Sequence, residues 1–256
     1  QVGLIMNGHY KVWDLKNKPM SQNLQAGFLL HQKNYRESSL IIDVFTQSSG
    51  RVSLLAKGVR RQKSPYLGLL RPFIPLNIDY TGSSSLKILT HVETGQSDTI
   101  LPGLNTYCGF YLNELLRYFI PVDEPYPEVF INYLICLQQL KSSEQIQAAL
   151  RNFETQLLYA TGYGLQLQID YLTQLPIQSS ASYQYDIEQG ATINDKGQLQ
   201  GATLLAMQQG NYQNVRQLNE AKLLMRQVID FYLQGKQLKS RILISKLIEK
   251  QTCKSN

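Results

Sequence analysis

A chain of 256 residues, 43% apolar and with a formal charge of +6, is long enough for one or two domains around a sizeable core. It holds no apolar run of the ~18 residues that a membrane-spanning helix requires. Residues 1–20 lack the apolar stretch of a secretory signal, so the cytoplasm is the expected compartment. Cys108, Cys136 and Cys253 are sparse and far apart, which fits free thiols in a reducing environment.

The charge is unevenly distributed. Residues 21–95 carry a net +5, residues 96–214 a net −7, and residues 215–256 a net +6. Two basic ends flank an acidic middle, the footprint expected of a polyanion partner, although solvated faces give the same count.

Residues 1–20 contain Gly3, Gly8 and Pro19 without sustained periodicity and read as a detached, disordered arm or an artefact. Met20 is an alternative start. From Gln25 the pattern turns β. Ala26–Leu30 is an apolar run, Leu40–Phe45 is rich in β-branched residues, and Val52, Leu54 and Ala56 alternate beyond the turn Gln47–Gly50. Ile74, Leu76, Ile78 and Tyr80 alternate next, with Pro75 marking an edge or a bulge. Leu86, Ile88 and Thr90 complete five short strands, which suit a small barrel of the OB-fold kind.

After Gly103 the period becomes helical. Tyr107 to Tyr118, Phe130 to Leu137 and Leu150 to Leu158 each place apolar residues on one face. Residues 163–200 lose that period and read as an irregular insert, with short strands near Tyr183–Tyr185. Helices resume near Ala202, continue from Val215 to Tyr232, and end with one from about Ser240 to Glu249. The expected architecture is α+β. Residues 21–98 form an OB-type barrel and residues 99–256 a mainly helical domain.

Lys57-Gly58-Val59-Arg60-Arg61-Gln62-Lys63 places four cations in seven residues after a barrel strand. Flexible cations in such a loop would reach nucleic-acid phosphates. Arg51 shares a strand face with Lys57, and Arg36 and Arg71 join the set as weaker members. Their contacts would position a strand without reading its sequence. Tyr35 and Tyr66 are candidates for base stacking or for the core, and Phe73 reads as core. A C-terminal group, from which Lys239 and Arg241 stand out, offers a second phosphate surface.

Catalytic chemistry lacks a foothold. His9, His31 and His91 are isolated in sequence, no cluster has metal-ligand spacing, and there is no G-x-x-x-x-G-K-[ST] loop. Neither an enzyme, a metal site nor a cofactor is expected.

Several stretches resemble the RecO family, in its order and spacing. They are Gly27-Phe28-Leu29-Leu30-His31, Tyr35 to Leu40, Asp43-Val44-Phe45-Thr46, Gly50-Arg51-Val52, Ala56 to Arg61 and Gly68 to Leu76. Tyr111-Leu112-Asn113-Glu114-Leu115, Leu158 to Gly164 and Lys236 to Arg241 continue the resemblance through the helical part. It implies an OB-fold barrel joined to a helical domain in a nucleoid-associated recombination mediator. Such a protein binds single- and double-stranded DNA and anneals complementary strands. It also works with RecR to load recombinase onto DNA coated by single-strand-binding protein (SSB), whose acidic C-terminal tail docks on the helical domain. For that tail the sequence offers Arg117, Lys141 and Arg151, scarce cations beside apolar helical stripes. One departure is plain. Many family members carry a four-cysteine zinc site after the Gly-Tyr-Gly region, but residues 165–200 here hold no cysteine, so packing alone must hold the insert. This is similar to the zinc-free branch of the family found among gammaproteobacteria. The competing reading, from charge and fold alone, is an RNA-binding OB module.

Overall fold

The computed structural model describes residues 24–66, 68–95, 101–142 and 145–252. The expected N-terminal arm lies outside them. Strands β1 (Gln25–Tyr35), β2 (Ser39–Thr46), β3 (Gly50–Ala56), β4 (Pro75–Thr81) and β5 (Leu86–Thr94) close into a barrel of order β1-β2-β3-β5-β4. Only the β3–β5 pair is parallel, the five-stranded closure of an OB-fold. Alternation sends Leu29, Ile42, Val44, Val52, Leu54 and Ile78 into the interior. Pro75 opens β4, where no ladder N–H is lost from the strand interior.

Helices α1 (Asn105–Phe119), α2 (Pro127–Gln139) and α3 (Ile146–Ala160) follow the barrel. Pro127 supplies the preset φ that suits a first turn. After the insert come α4 (Gly201–Gln209), α5 (Val215–Tyr232) and α6 (Lys239–Thr252). The Asn214 side chain accepts from the Gln217 N–H and so caps α5.

The insert is more ordered than its composition suggests. Strands β6 (Ser182–Asp186), β7 (Gly190–Ile193) and β8 (Leu199–Gln200) form an antiparallel sheet of order β7-β6-β8. Packing is not its only restraint. Buried Asp170 gathers the backbone N–H groups of Leu172, Thr173 and Ile193 and the Thr173 hydroxyl. Burial pushes the Asp170 carboxyl up, but these donors outweigh it and hold the group below its ordinary value.

The barrel joins the helices through side chains that point out of it. Phe28 and Phe45, both essentially buried, belong to the helical core rather than the barrel core. Phe130 of α2 lies 5.8 Å from Phe28 and 5.5 Å from Phe45, and Tyr133 makes an edge contact with Phe28 at 5.3 Å. Beside this cluster β1 bulges between Leu29 and His31. Asn113 of α1 donates to the Leu29 and Leu30 carbonyls there and accepts from the Tyr133 hydroxyl. The β2–β3 hairpin forms a second seam. Gly50 has a φ of +65°, and a Cβ there would sit 1.7 Å from the Glu124 carbonyl oxygen. Next to it, the Arg51 carbonyl accepts from the Asp123 N–H.

Two outcomes follow. Asn113→Ala strands two carbonyls and a phenol in the interior and should cost about 1–3 kcal/mol, read by urea denaturation. Asp170→Asn should destabilise most above the ordinary carboxylate pKa. Because the folded pKa lies below the unfolded one, the wild-type advantage should shrink as pH falls through the folded value, as stability measured against pH would record.

Candidate nucleic-acid interface

The connection from β3 to β4 seals one end of the barrel. Val59 and Leu70 insert into its interior core. Their anchoring fixes the turns between them, so the cations of this segment sit on ordered backbone rather than on a floppy loop. The Arg60 N–H donates to the Ser38 carbonyl, the Gly58 N–H to the Ser39 hydroxyl, and the Ser64 N–H to the Arg61 carbonyl. The first two tie the segment to the β1–β2 turn, where Arg36 has a φ of +51°. Arg60 also reaches the Arg36 carbonyl at 3.5 Å. Residues 19 or more apart in sequence thus meet in one rim. Arg36, Lys57, Arg60, Arg61 and Lys63 are all exposed.

Below the rim lies the outer face of β1, β2 and β3. Register places Lys33 opposite Ile41, Tyr35 opposite Ser39, and Ile41 opposite Leu55. Ile41 and Leu55 are half-buried, in contrast to the inward Leu40, Ile42 and Leu54. The Arg36 guanidinium stands 5.2 Å from the centre of the Tyr35 ring. Half-buried aliphatic side chains, one aromatic and a border of cations make a surface on which bases can lie while phosphates meet charge. Tyr66 is placed differently. Its hydroxyl donates to the Thr90 carbonyl and its ring abuts His91 edge-on. Phe73 is buried against Phe110, as core.

Three cations singled out from sequence are committed elsewhere. Arg51 is half-buried and its Nε donates to the Ile120 carbonyl at 3.0 Å, so it fastens the barrel to the end of α1. Arg151 is 5% exposed and paired with buried Glu154, which removes it from any incoming carboxylate. Arg241 pairs with Asp230 and donates to the Tyr111 hydroxyl at 3.3 Å. That phenol in turn donates to Glu154 at 2.7 Å. Arg117 occupies an intermediate position, with its Nε 3.0 Å from Asp43 and about a third of its side chain exposed. Arg71 and Lys239 are exposed, and Lys141 is half-buried just after α2.

Sequence reasoning missed Lys33 and His31, which lie on exposed β1. The alternation of imidazole, ammonium and aromatic side chains at His31, Lys33 and Tyr35 was the available signal. It also missed Glu114. This carboxylate accepts from the Lys239 and Ser240 N–H groups and from the Ser240 hydroxyl, capping α6 from α1. Among the described residues there is no group of three or more His, Cys, Asp or Glu side chains able to hold a metal ion, and no helix long and apolar enough to cross a membrane.

A closed OB barrel with a basic rim, backed by a helical domain, defines the structural class of this molecule. Residues 20–97 match the family described as recombination protein O N terminal, and residues 103–242 match recombination protein O C terminal. The DNA repair protein RecO of Methylococcus capsulatus is 37% identical over 88% of this chain and 94% of that protein. That of Actinobacillus pleuropneumoniae serotype 5b is 38% identical over 90% and 97%, and that of Nitrosococcus oceani 39% over 88% and 93%. The chain belongs to the RecO family, and its role lies in DNA repair and recombination.

The committed and the free cations should separate in one experiment. Arg241→Ala should lose about 1.5–3 kcal/mol through its charge-assisted bonds, whereas Arg60→Ala on the rim should stay within about 0.5 kcal/mol of wild type, both read by urea unfolding.

Proposed function

We propose that this protein is a non-catalytic mediator that binds single- and double-stranded DNA at the barrel rim and outer face and anneals complementary strands. In this reading it acts with RecR, and helps load recombinase onto DNA covered by SSB. The observation that carries it is the rim itself. Five exposed cations from two sequence-remote segments are held by backbone hydrogen bonds beside an apolar strand face carrying Tyr35.

Neutralising phosphates releases counterions and binds DNA without regard to sequence, as an annealing factor requires. The same neutralisation lowers the repulsion between two strands brought together. Pairing is then carried by the strands, and no covalent step is asked of the protein. An acidic SSB tail would seek cations on the helical domain. Arg117 and Lys141 remain candidates for it, while Arg151 is withdrawn because Glu154 already holds it. Membership of the RecO family favours DNA over the RNA-binding alternative.

The test is a salt titration of fluorescent oligo-dT binding. Arg60, Arg61 and Lys63 changed together to alanine should weaken binding and lower the slope of log affinity against log salt by about 2, at ~0.7 per phosphate contact on single strands. An unchanged slope would remove DNA from the rim. Labelled DNA should stay intact with magnesium present, and cleavage would refute the non-catalytic reading.

A further inference from the structure

Strand β1 is longer than its partners allow. It pairs with β4 only from Gln25 to Phe28, yet stays paired with β2 as far as Tyr35. Its second half therefore projects along the hairpin, and residues 31–34 are exposed. His31 and Lys33 lie opposite Asp43 and Ile41, on the outer side of the sheet. This half-strand runs from the rim, at Arg36, back toward the helices.

At its inner end the helical domain supplies more cations. Arg117 of α1 binds Asp43, the register partner of His31. One turn earlier on α1, Glu114 receives the first N–H groups of α6 and so fixes Lys239 beside the same spot. His31 feels this neighbourhood. Partial desolvation of this largely exposed ring first, then Arg117 and Lys239, lower its basicity, against the opposing pull of Asp43 and Glu114. Both carboxylates are already engaged, Asp43 by Arg117 and Ser53, Glu114 by the start of α6. The Lys33 and Lys239 side chains are exposed.

Resting on the reading of the barrel as a DNA-binding surface, we propose that one single strand continues from the rim along the projecting half of β1 onto the start of α6. Lys33 and Lys239 hold phosphates of that same strand. The basic segments at the two ends of the sequence then serve one path. Five residues of strand span about 17 Å, at roughly 3.4 Å each, and rim and helix start extend the path at either end. Such a length falls within the ~4–16 nucleotides that one OB-fold typically engages. Tyr35, with Arg36 over its ring, stands at the rim end, where a base can stack.

The experiment uses the full chain and fluorescent oligo-dT of about 16 nucleotides, a length that covers the path. Lys33→Ala with Lys239→Ala should lower the salt slope by about 1.4, two contacts of ~0.7, with one strand bound per chain before and after. Replacement of both by arginine should restore the slope. Unfolding curves of the variants should overlay the wild type, because both side chains are exposed. An unchanged slope in the alanine variant, while the rim variant loses its own, overturns the extension and leaves the rim reading standing. Two strands per wild-type chain, one of them lost in the double variant, overturns the single path in favour of separate sites. Wild type without salt-dependent binding overturns the rim reading and this proposal together.

Discussion

The molecule depends on two phenylalanines that face the wrong way for a barrel. Phe28 and Phe45 leave the barrel interior and enter the helical core, where Phe130 and Tyr133 receive them. Aromatic pairs at these separations add to the area they bury. The bulge that follows frees carbonyls from the ladder, and Asn113 satisfies them. Polar satisfaction and apolar burial therefore act at one place, and the barrel cannot turn against the helices without breaking both. Every cation on the rim inherits its position relative to α6 from this junction.

The stretch Tyr111-Leu112-Asn113-Glu114-Leu115 has a structural explanation in each polar residue. Tyr111 links Glu154 to Arg241, Asn113 holds the β1 bulge, and Glu114 caps α6. One turn and a half of helix thus reaches α3, the barrel and the C-terminal helix. Burial and the neighbouring Glu154 charge push the Tyr111 phenol far up, so it stays protonated and remains a donor. Gly50-Arg51 does comparable work at the other seam, through a backbone approach only glycine permits and a guanidinium spent on a helix end.

The five strands, the turn at Gln47–Gly50 and the periodic helices were legible because period-2 and period-3.6 patterns are local. The rim was legible because Lys57 to Lys63 is a local run. Its rigidity was not, since that comes from Val59 and Leu70 entering the barrel and from bonds to Ser38 and Ser39. The internal bonds of Arg51 and Arg241 were not legible for one reason. Their partners Ile120 and Tyr111 lie 69 and 130 residues away, and a count of charges says nothing of where a guanidinium is spent. Arg151 is the instructive exception. Its partner Glu154 is three residues on, so the pair was visible, but its burial was not. The insert followed the same rule, for Asp170 was an ordinary acidic residue until the chain folded its donors around it.

Free cations on this surface are those for which folding found no carboxylate. Among the described residues, Arg36, Lys57, Arg60, Arg61 and Lys63 make no ion pair, and the internal acceptor that reaches the rim is the Arg36 carbonyl, 3.5 Å from Arg60. Lys239 stands where Glu114 is already engaged by the first N–H groups and the Ser240 hydroxyl of α6, whereas Arg117 is paired with Asp43 and only about a third exposed. A polyanion would meet the rim and Lys239 as uncompensated charge, whereas Arg51, Arg117, Arg151 and Arg241 would have to abandon existing bonds first. That difference in prior commitment, rather than the number of basic residues, marks the cations that the proposed DNA path can use.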